Sequence, residues 1–481
     1  MQPNRLWWLT ASLALALILP ACKKNDNSGS PNPTNSGNGK VSVNDSIFFI
    51  FKDIYLWTDA TPDSATFKPE SFSSPVAMFD SLTHYKKDAS NNNLDRYSFI
   101  DDGTTSRALQ GGVVGDMGFQ VGFQTNTELR VVYVYPGSPA DKAGIKRGWK
   151  INTINGTSSF QYGSQSTNTL LNNALGGSFA AFTFQKPDGS TLSTTLTATQ
   201  YNLDPIFYSN VYTFGTTKVG YLVFNNFVAL NLVQGKLDNI FSNFLTQGVT
   251  NVIIDLRYNG GGLVQTAEYL ANKMAPASVN NTVMYTQIYN DNIKNDRYSW
   301  YFTGMKAVPN YPNYNWTDIF HSEATTYATT NFQSTGAQKI ANLRFLVTHN
   351  TVSASELLYN VLKPSMSPRL VGRTTYGKPV GFINITFGSY DMYAVSFQSK
   401  NSAGQGDYFT GIAPDVNVQD DYTNDWGSLS DPLLHSALLD LGIPASQLGR
   451  QANIESFRLA ENAVNPTALG KFKGMILERR R

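Results

Sequence analysis

Two β runs in this chain each pass through a short polar turn into an amphipathic helix, and this repeated step constrains the fold more than any other feature. The run Val252 to Leu256 ends in Asp255-Leu256-Arg257-Tyr258-Asn259-Gly260-Gly261-Gly262 before a helical pattern through Met274. The run Leu343 to Thr348 leads through a turn holding Ser353 into a helical pattern from Ser355 to Leu362. With Val219 to Phe224 as a further buried-type strand, the stretch from about Tyr201 to Leu441 alternates strands with helices, which is the pattern of an α/β layer structure. Each step leaves unpaired N–H groups at a helix N-terminus, and those groups favour negative charge. Side by side, two such turns form an oxyanion hole.

Chemistry enters with Ser353 and Lys378, 25 positions later. A serine hydroxyl needs a base to take its proton, and a lysine serves if burial keeps it neutral. Taken alone, Ser353 and Glu356 match an S-x-x-E capping box, whose ordinary meaning is a helix start. Lys378 closes Gly372-Arg373-Thr374-Thr375-Tyr376-Gly377-Lys378-Pro379, a near match to a phosphate-binding loop. Pro379 breaks it, because proline offers neither a hydroxyl for magnesium nor an N–H for phosphate. His349 precedes Ser353 by four residues, but without a G-x-S-x-G elbow it reads as part of the turn.

Composition narrows the classes. Four histidines and one cysteine, Cys22, among 481 residues exclude an internal disulfide and a cysteine-rich zinc site, and no cofactor or metal is expected. A net charge of +2 argues against nucleic acid as the main partner. The length exceeds what one core usually supports, so several domains are expected.

Residues 1–21 read as a signal peptide: Arg5, an apolar run from Leu6 to Leu19, then Pro20-Ala21-Cys22. Leu19 to Cys22 resembles a bacterial lipobox, which implies lipidation of Cys22 and an exported chain held on the outer membrane, facing periplasm or surface. Residues 22–40, rich in Asn, Ser, Gly and Pro, read as a flexible tether. Residues 41–110 read as a helical domain, with apolar positions at Ile47, Phe48, Ile50, Phe51 and Ile54 and again from Val76 to Leu82.

From residue 111 to 200 the pattern changes to short β runs. Gly115-Asp116-Met117-Gly118-Phe119-Gln120-Val121 resembles the carboxylate-binding loop and first binding strand of a PDZ domain. Gly137 to Gly148, followed by Ile154-Asn155-Gly156, resembles that domain's short helix and next strand. The resemblance implies that N–H groups of Met117, Gly118 and Phe119 capture a free C-terminal carboxylate while the strand edge accepts the peptide.

Ser353-Ala354-Ser355-Glu356, Gly377-Lys378, Asp255-Leu256-Arg257 with Gly261-Gly262, and Gly411-Ile412-Ala413-Pro414-Asp415 together resemble the C-terminal-processing, or tail-specific, serine peptidases. The resemblance implies a multidomain α/β chain: an N-terminal helical segment, a PDZ-like β domain, and a crotonase- or Clp-protease-like catalytic domain over 201–450, with 451–481 as a tail. It implies Ser353 as nucleophile, Lys378 as general base, and the N–H groups of Gly261 and Ala354 as oxyanion donors. Substrates would be proteins or peptides with accessible C-termini. Many relatives carry a Gln where this chain has Phe382, so the group orienting Lys378 is unassigned, with Glu356 a candidate. Two rivals stand beside this function: a non-catalytic PDZ-containing peptide-binding lipoprotein, and a chain using the cleft for an apolar ligand. Residues 275–340, rich in Asn, Tyr and Thr, read as a long connection, either a lid over the substrate or an inert surface loop.

Overall fold

The computed structural model describes residues 42–306, 314–450 and 472–477. The expected signal peptide, Cys22 and the tether lie outside these residues, as does most of the 451–481 tail. The first helix, α1 (Val43–Ile54), starts where the Ser42 hydroxyl accepts the Asp45 N–H at 3.0 Å, and it buries Ile47, Phe48, Ile50, Phe51 and Ile54. Helix α2 (Pro75–Thr83) packs Phe79 edge-on against Phe51, with ring centroids 5.4 Å apart. These side chains share one buried cluster with Phe345, Leu358 and Phe397 of the α/β region, so the helical segment is built onto that region rather than beside it.

A separate apolar cluster fills the β-rich region. Its five antiparallel strands run in the order β1 (Phe119–Phe123), β2 (Leu129–Val134), β3 (Lys150–Ile154), β4 (Phe179–Gln185), β5 (Thr191–Thr197). Helix α3 (Gln165–Gly176) adds Leu171, Ala174 and Leu175 to that core. Strand β1 is the sheet's edge on one side, and all five of its residues are buried.

Two six-stranded sheets make the α/β region. In the first, β6 (Ile206–Phe214) pairs antiparallel with β7 (Thr217–Phe224), and β7, β8 (Asn251–Asp255), β12 (Asn342–Val347), β13 (Arg369–Gly372) and β16 (Val416–Asn417) are parallel neighbours. The central strand β8 is buried at every position, as a parallel strand covered on both faces must be. Helix α4 (Leu230–Thr246) buries Val233, Leu237, Phe241 and Phe244, an i, i+4 stripe. The second sheet has the order β9 (Gly261–Leu263), β17 (Gly474–Ile476), β14 (Val380–Phe382), β15 (Val395–Asn401), β10 (Val283–Tyr289), β11 (Thr329–Asn331). The glycine turn leads through β9 into α5 (Val264–Met274), and the serine turn into α6 (Ala354–Met366).

The described residues of 275–340 are not one long loop. They contribute β10, β11 and the helix Trp316–Thr325, in which Trp316 is buried. The Asn290 side chain donates to the carbonyls of Asp53 (3.0 Å) and Tyr55 (2.8 Å), tying this stretch to the end of α1. Asn290 and Asn315 cap short helices here, and many of the other Asn and Thr residues are exposed, so composition alone reads as loop.

Candidate active site

Ser353 sits between β12 and α6 with φ 60° and ψ −102°, a backbone region that costs a non-glycine residue about 1–3 kcal/mol. Its hydroxyl is buried and has no hydrogen-bond partner among the described residues. The turn around it is held from outside. Thr351 Oγ1 donates to the Leu256 carbonyl (2.8 Å), and the Val352 N–H (3.0 Å) and Ser355 Oγ (3.1 Å) both donate to the Asn259 carbonyl. The serine and glycine turns are therefore laced together, as their repeated strand-turn-helix pattern predicts. Ala354 opens α6, so its N–H is one that the helix itself cannot pair.

Glu356 explains how Lys378 reaches this place. Its buried carboxylate accepts the N–H groups of Ser353 (2.7 Å), Gly377 (2.7 Å) and Lys378 (2.9 Å) and the Thr375 hydroxyl (2.5 Å). Burial pushes this carboxyl above its ordinary range, and the four donors oppose that rise. One side chain thus pins the Ser353 backbone to the lysine loop. The same contacts dispose of the phosphate-loop alternative, since the N–H groups that would face phosphate are spent on Glu356.

Lys378 is fully buried, and burial holds its ammonium well below the usual lysine range, against the charges of Asp95 and Glu356. Glu356 positions the Lys378 backbone, not its Nζ. The Nζ lies 3.6 Å from the centroid of Phe382 and 5.4 Å from that of Tyr97, and donates to the Lys473 carbonyl at 2.8 Å. Phe382 thus gives the lysine an aromatic wall. Tyr97 Oη donates to the Gly377 carbonyl (2.6 Å), and Arg96 donates to the carbonyls of Tyr376 (3.0 Å) and Phe409 (2.9 Å). The helical region thereby braces the Lys378 loop. No sequence signal marks Asn259, Arg96 or Tyr97 for these tasks, because their partners are 90 or more positions away.

The glycine turn is close to Ser353, yet the Gly261 N–H, expected to be free for an oxyanion, donates to Asn259 Oδ1 at 2.9 Å. The preceding Asp255-Leu256-Arg257 is a structural clamp. Arg257, buried, binds Asp255, Asp420 and Asp431, each at 2.8 Å. Burial works to raise the Asp431 carboxyl, and Arg257 overrides it, leaving it below its usual range. Arg147 from the β-rich region joins this cluster through Asp420 (3.6 Å) and Tyr258 Oη (2.9 Å).

The expected carboxylate-binding residues Met117, Gly118 and Phe119 fall at the start of β1. Here the Gly118 N–H is taken by Asp116 Oδ1 (2.7 Å), while Met117 and Phe119 are buried in the β-rich core. The next residue, Gln120, lines a small polar cavity with Tyr133, Gly260, Asn350, Phe472 and Lys473, so the edge strand borders the glycine turn. His349 packs its ring against Tyr376 at 5.2 Å and gives Ser353 no hydrogen bond.

Residues 218–418 match the model of peptidase family S41, and residues 42–99 match the model of the S41 N-terminal domain. The chain carries peptidase family S41 domains. The carboxyl-terminal-processing protease of Picosynechococcus is 26% identical to this S41 chain over 269 residues, 56% of this chain and 55% of the other. The chain thus spans about half the length of that curated relative. An S41-family chain from Bacteroides fragilis of known crystal structure aligns with a TM-score of 0.61 at 22% identity, over 86% of this chain and 99% of its own. That likeness shows the fold.

Proposed function

We propose that this chain is a serine endopeptidase that cleaves proteins from or near their C-terminal tails. Ser353 is the nucleophile and Lys378 the general base. The observation carrying this function is a strained, unpartnered serine hydroxyl and a buried lysine fastened to one carboxylate, Glu356. Neutral Lys378 takes the hydroxyl proton as Ser353 Oγ bonds to the scissile carbonyl carbon. In this reading the Ala354 N–H meets the developing oxyanion, joined by the Gly261 N–H once Asn259 releases it. The lysine then protonates the departing amine, and water activated by the same Nζ hydrolyses the acyl-enzyme. In this proposal the β-rich region is a PDZ domain whose edge strand β1 presents the substrate's C-terminal end to the glycine turn.

The test is cleavage of a folded protein ending in an unstructured apolar tail, followed across pH. Only the neutral lysine accepts a proton, so the rate rises with pH through the lowered Lys378 pKa and then levels. The stability linkage has the same sign: above that pKa the unfolded lysine still binds a proton that the folded one lacks, so stability also rises with pH. A rate that falls over the same interval, or cleavage undiminished in Ser353→Ala, would overturn the Ser/Lys mechanism. We also propose export and lipid anchoring through Cys22. Mass spectrometry of the mature N-terminus is expected to find a diacylglyceryl-modified Cys22, and an unmodified cysteine there refutes the anchor.

A further inference from the structure

The segment Phe472–Leu477 threads through the site just described. Its strand β17 lies between β9, which follows the glycine turn, and β14, which follows Lys378, and it runs parallel to both. The Gly474 N–H donates to the Gly260 carbonyl and the Leu477 N–H to the Phe382 carbonyl, each at 2.9 Å. The Lys473 carbonyl accepts the hydrogen bond of Lys378 Nζ at 2.8 Å. The Gly474 carbonyl lies so close to Gly261 that a Cβ on Gly261 would stand 2.1 Å from it. A second extended chain cannot enter the same space. Met475 and Ile476 are fully buried, and Phe472 packs edge-on to Phe99 at 6.1 Å.

These contacts have the form of strand addition to an exposed pair of edges: main-chain hydrogen bonds on both sides, apolar side chains in the walls. They differ from ordinary sheet completion in one respect, since the segment takes the hydrogen bond of the catalytic base while Ser353 Oγ has none. We infer that Phe472–Leu477 occupies the substrate's strand in an intramolecular, substrate-like manner, holding the peptidase closed, and that the slot between β9 and β14 accepts extended apolar segments of the type Phe-Lys-Gly-Met-Ile-Leu. It rests on the Ser/Lys peptidase assignment for its consequence, but not for the occupancy itself. A substrate must first displace the segment, so apparent affinity falls by the fraction of molecules in which the slot is open.

The full chain is compared with Gly474→Pro, which removes the N–H bonded to Gly260, and with Ile476→Asp, which puts a carboxylate among apolar walls. Thermal melting establishes that each variant is folded. A fluorescent Phe-Lys-Gly-Met-Ile-Leu peptide is titrated against each variant in a Ser353→Ala background, and tail cleavage is measured with Ser353 present. The expected result is peptide binding at least about tenfold tighter in both segment variants than in the unaltered segment, with faster cleavage. Tighter peptide binding in both segment variants with no cleavage by any form upholds the occupancy and refutes the Ser/Lys mechanism. Cleavage by the unaltered chain with unchanged peptide affinity and rate in both folded variants upholds the mechanism and overturns the occupancy. If both variants melt far below the unaltered chain and lose cleavage, β17 is structural and the inference fails.

Discussion

Lys378→Met lowers the rate of tail cleavage by about 10³-fold, within the 10²–10⁴ range of positioned acid–base catalysis, and Ser353→Ala lowers it at least as far. Methionine keeps the stem against Phe382 and Tyr97 and removes only the nitrogen, so the loss reports proton transfer rather than packing. In the proposed mechanism the two groups act in one step, so Ser353→Ala/Lys378→Met is expected to be no slower than the worse single variant. Steady-state kinetics on one tailed substrate provide all three values. A Lys378→Met enzyme within tenfold of wild type would remove the lysine from the mechanism. Ser353→Gly is the folding control: glycine occupies φ 60° without strain, so this inactive variant melts no lower than wild type.

Arg257→Leu is expected to cost about 3–5 kcal/mol of stability, because it leaves Asp255, Asp420 and Asp431 buried without their shared cation. Arg147 cannot replace it. Arg147 approaches only Asp420, at 3.6 Å, and its other N–H groups are held by the carbonyls of Val132, Asp421 and Asn424. Arg257→Lys rescues little, since one ammonium cannot span three carboxylates as the guanidinium fork does. The pH dependence has a definite sign. Asp431 is held below its ordinary range, so the stability it contributes is present above the unfolded carboxyl pKa and is lost as pH falls through the folded one. The gap between wild type and Arg257→Leu therefore narrows in acid. Chemical denaturation at neutral and acidic pH measures it, and a gap that is small at neutral pH or widens in acid would contradict the clamp.

Much of the site was legible because its parts are local. The Ser353 turn, the glycine turn and their helices each come from a run of adjacent residues with clear periodicity, and the structure joins them through Asn259 and Thr351. The S-x-x-E pattern was legible as well, but only half its meaning. Glu356 does reach back to the Ser353 N–H, while its other three bonds go to a loop about twenty residues on. Residues 275–340 misled because Asn, Thr and Tyr read as loop composition wherever their hydrogen-bond partners are distant in sequence. Arg96, Tyr97 and the Lys473 carbonyl had no local signal at all.

The sequence by itself determined the strand-turn-helix repeat, the Ser353 and Lys378 pair, and the family motifs, since each depends on neighbours along the chain and on period. Tertiary structure alone decided what surrounds the lysine: an aromatic wall from Phe382 and Tyr97, a backbone hold from Glu356, and a carbonyl from Lys473. The physical reason is that burial lowers a lysine's pKa, and burial comes from segments hundreds of residues apart closing over one nitrogen.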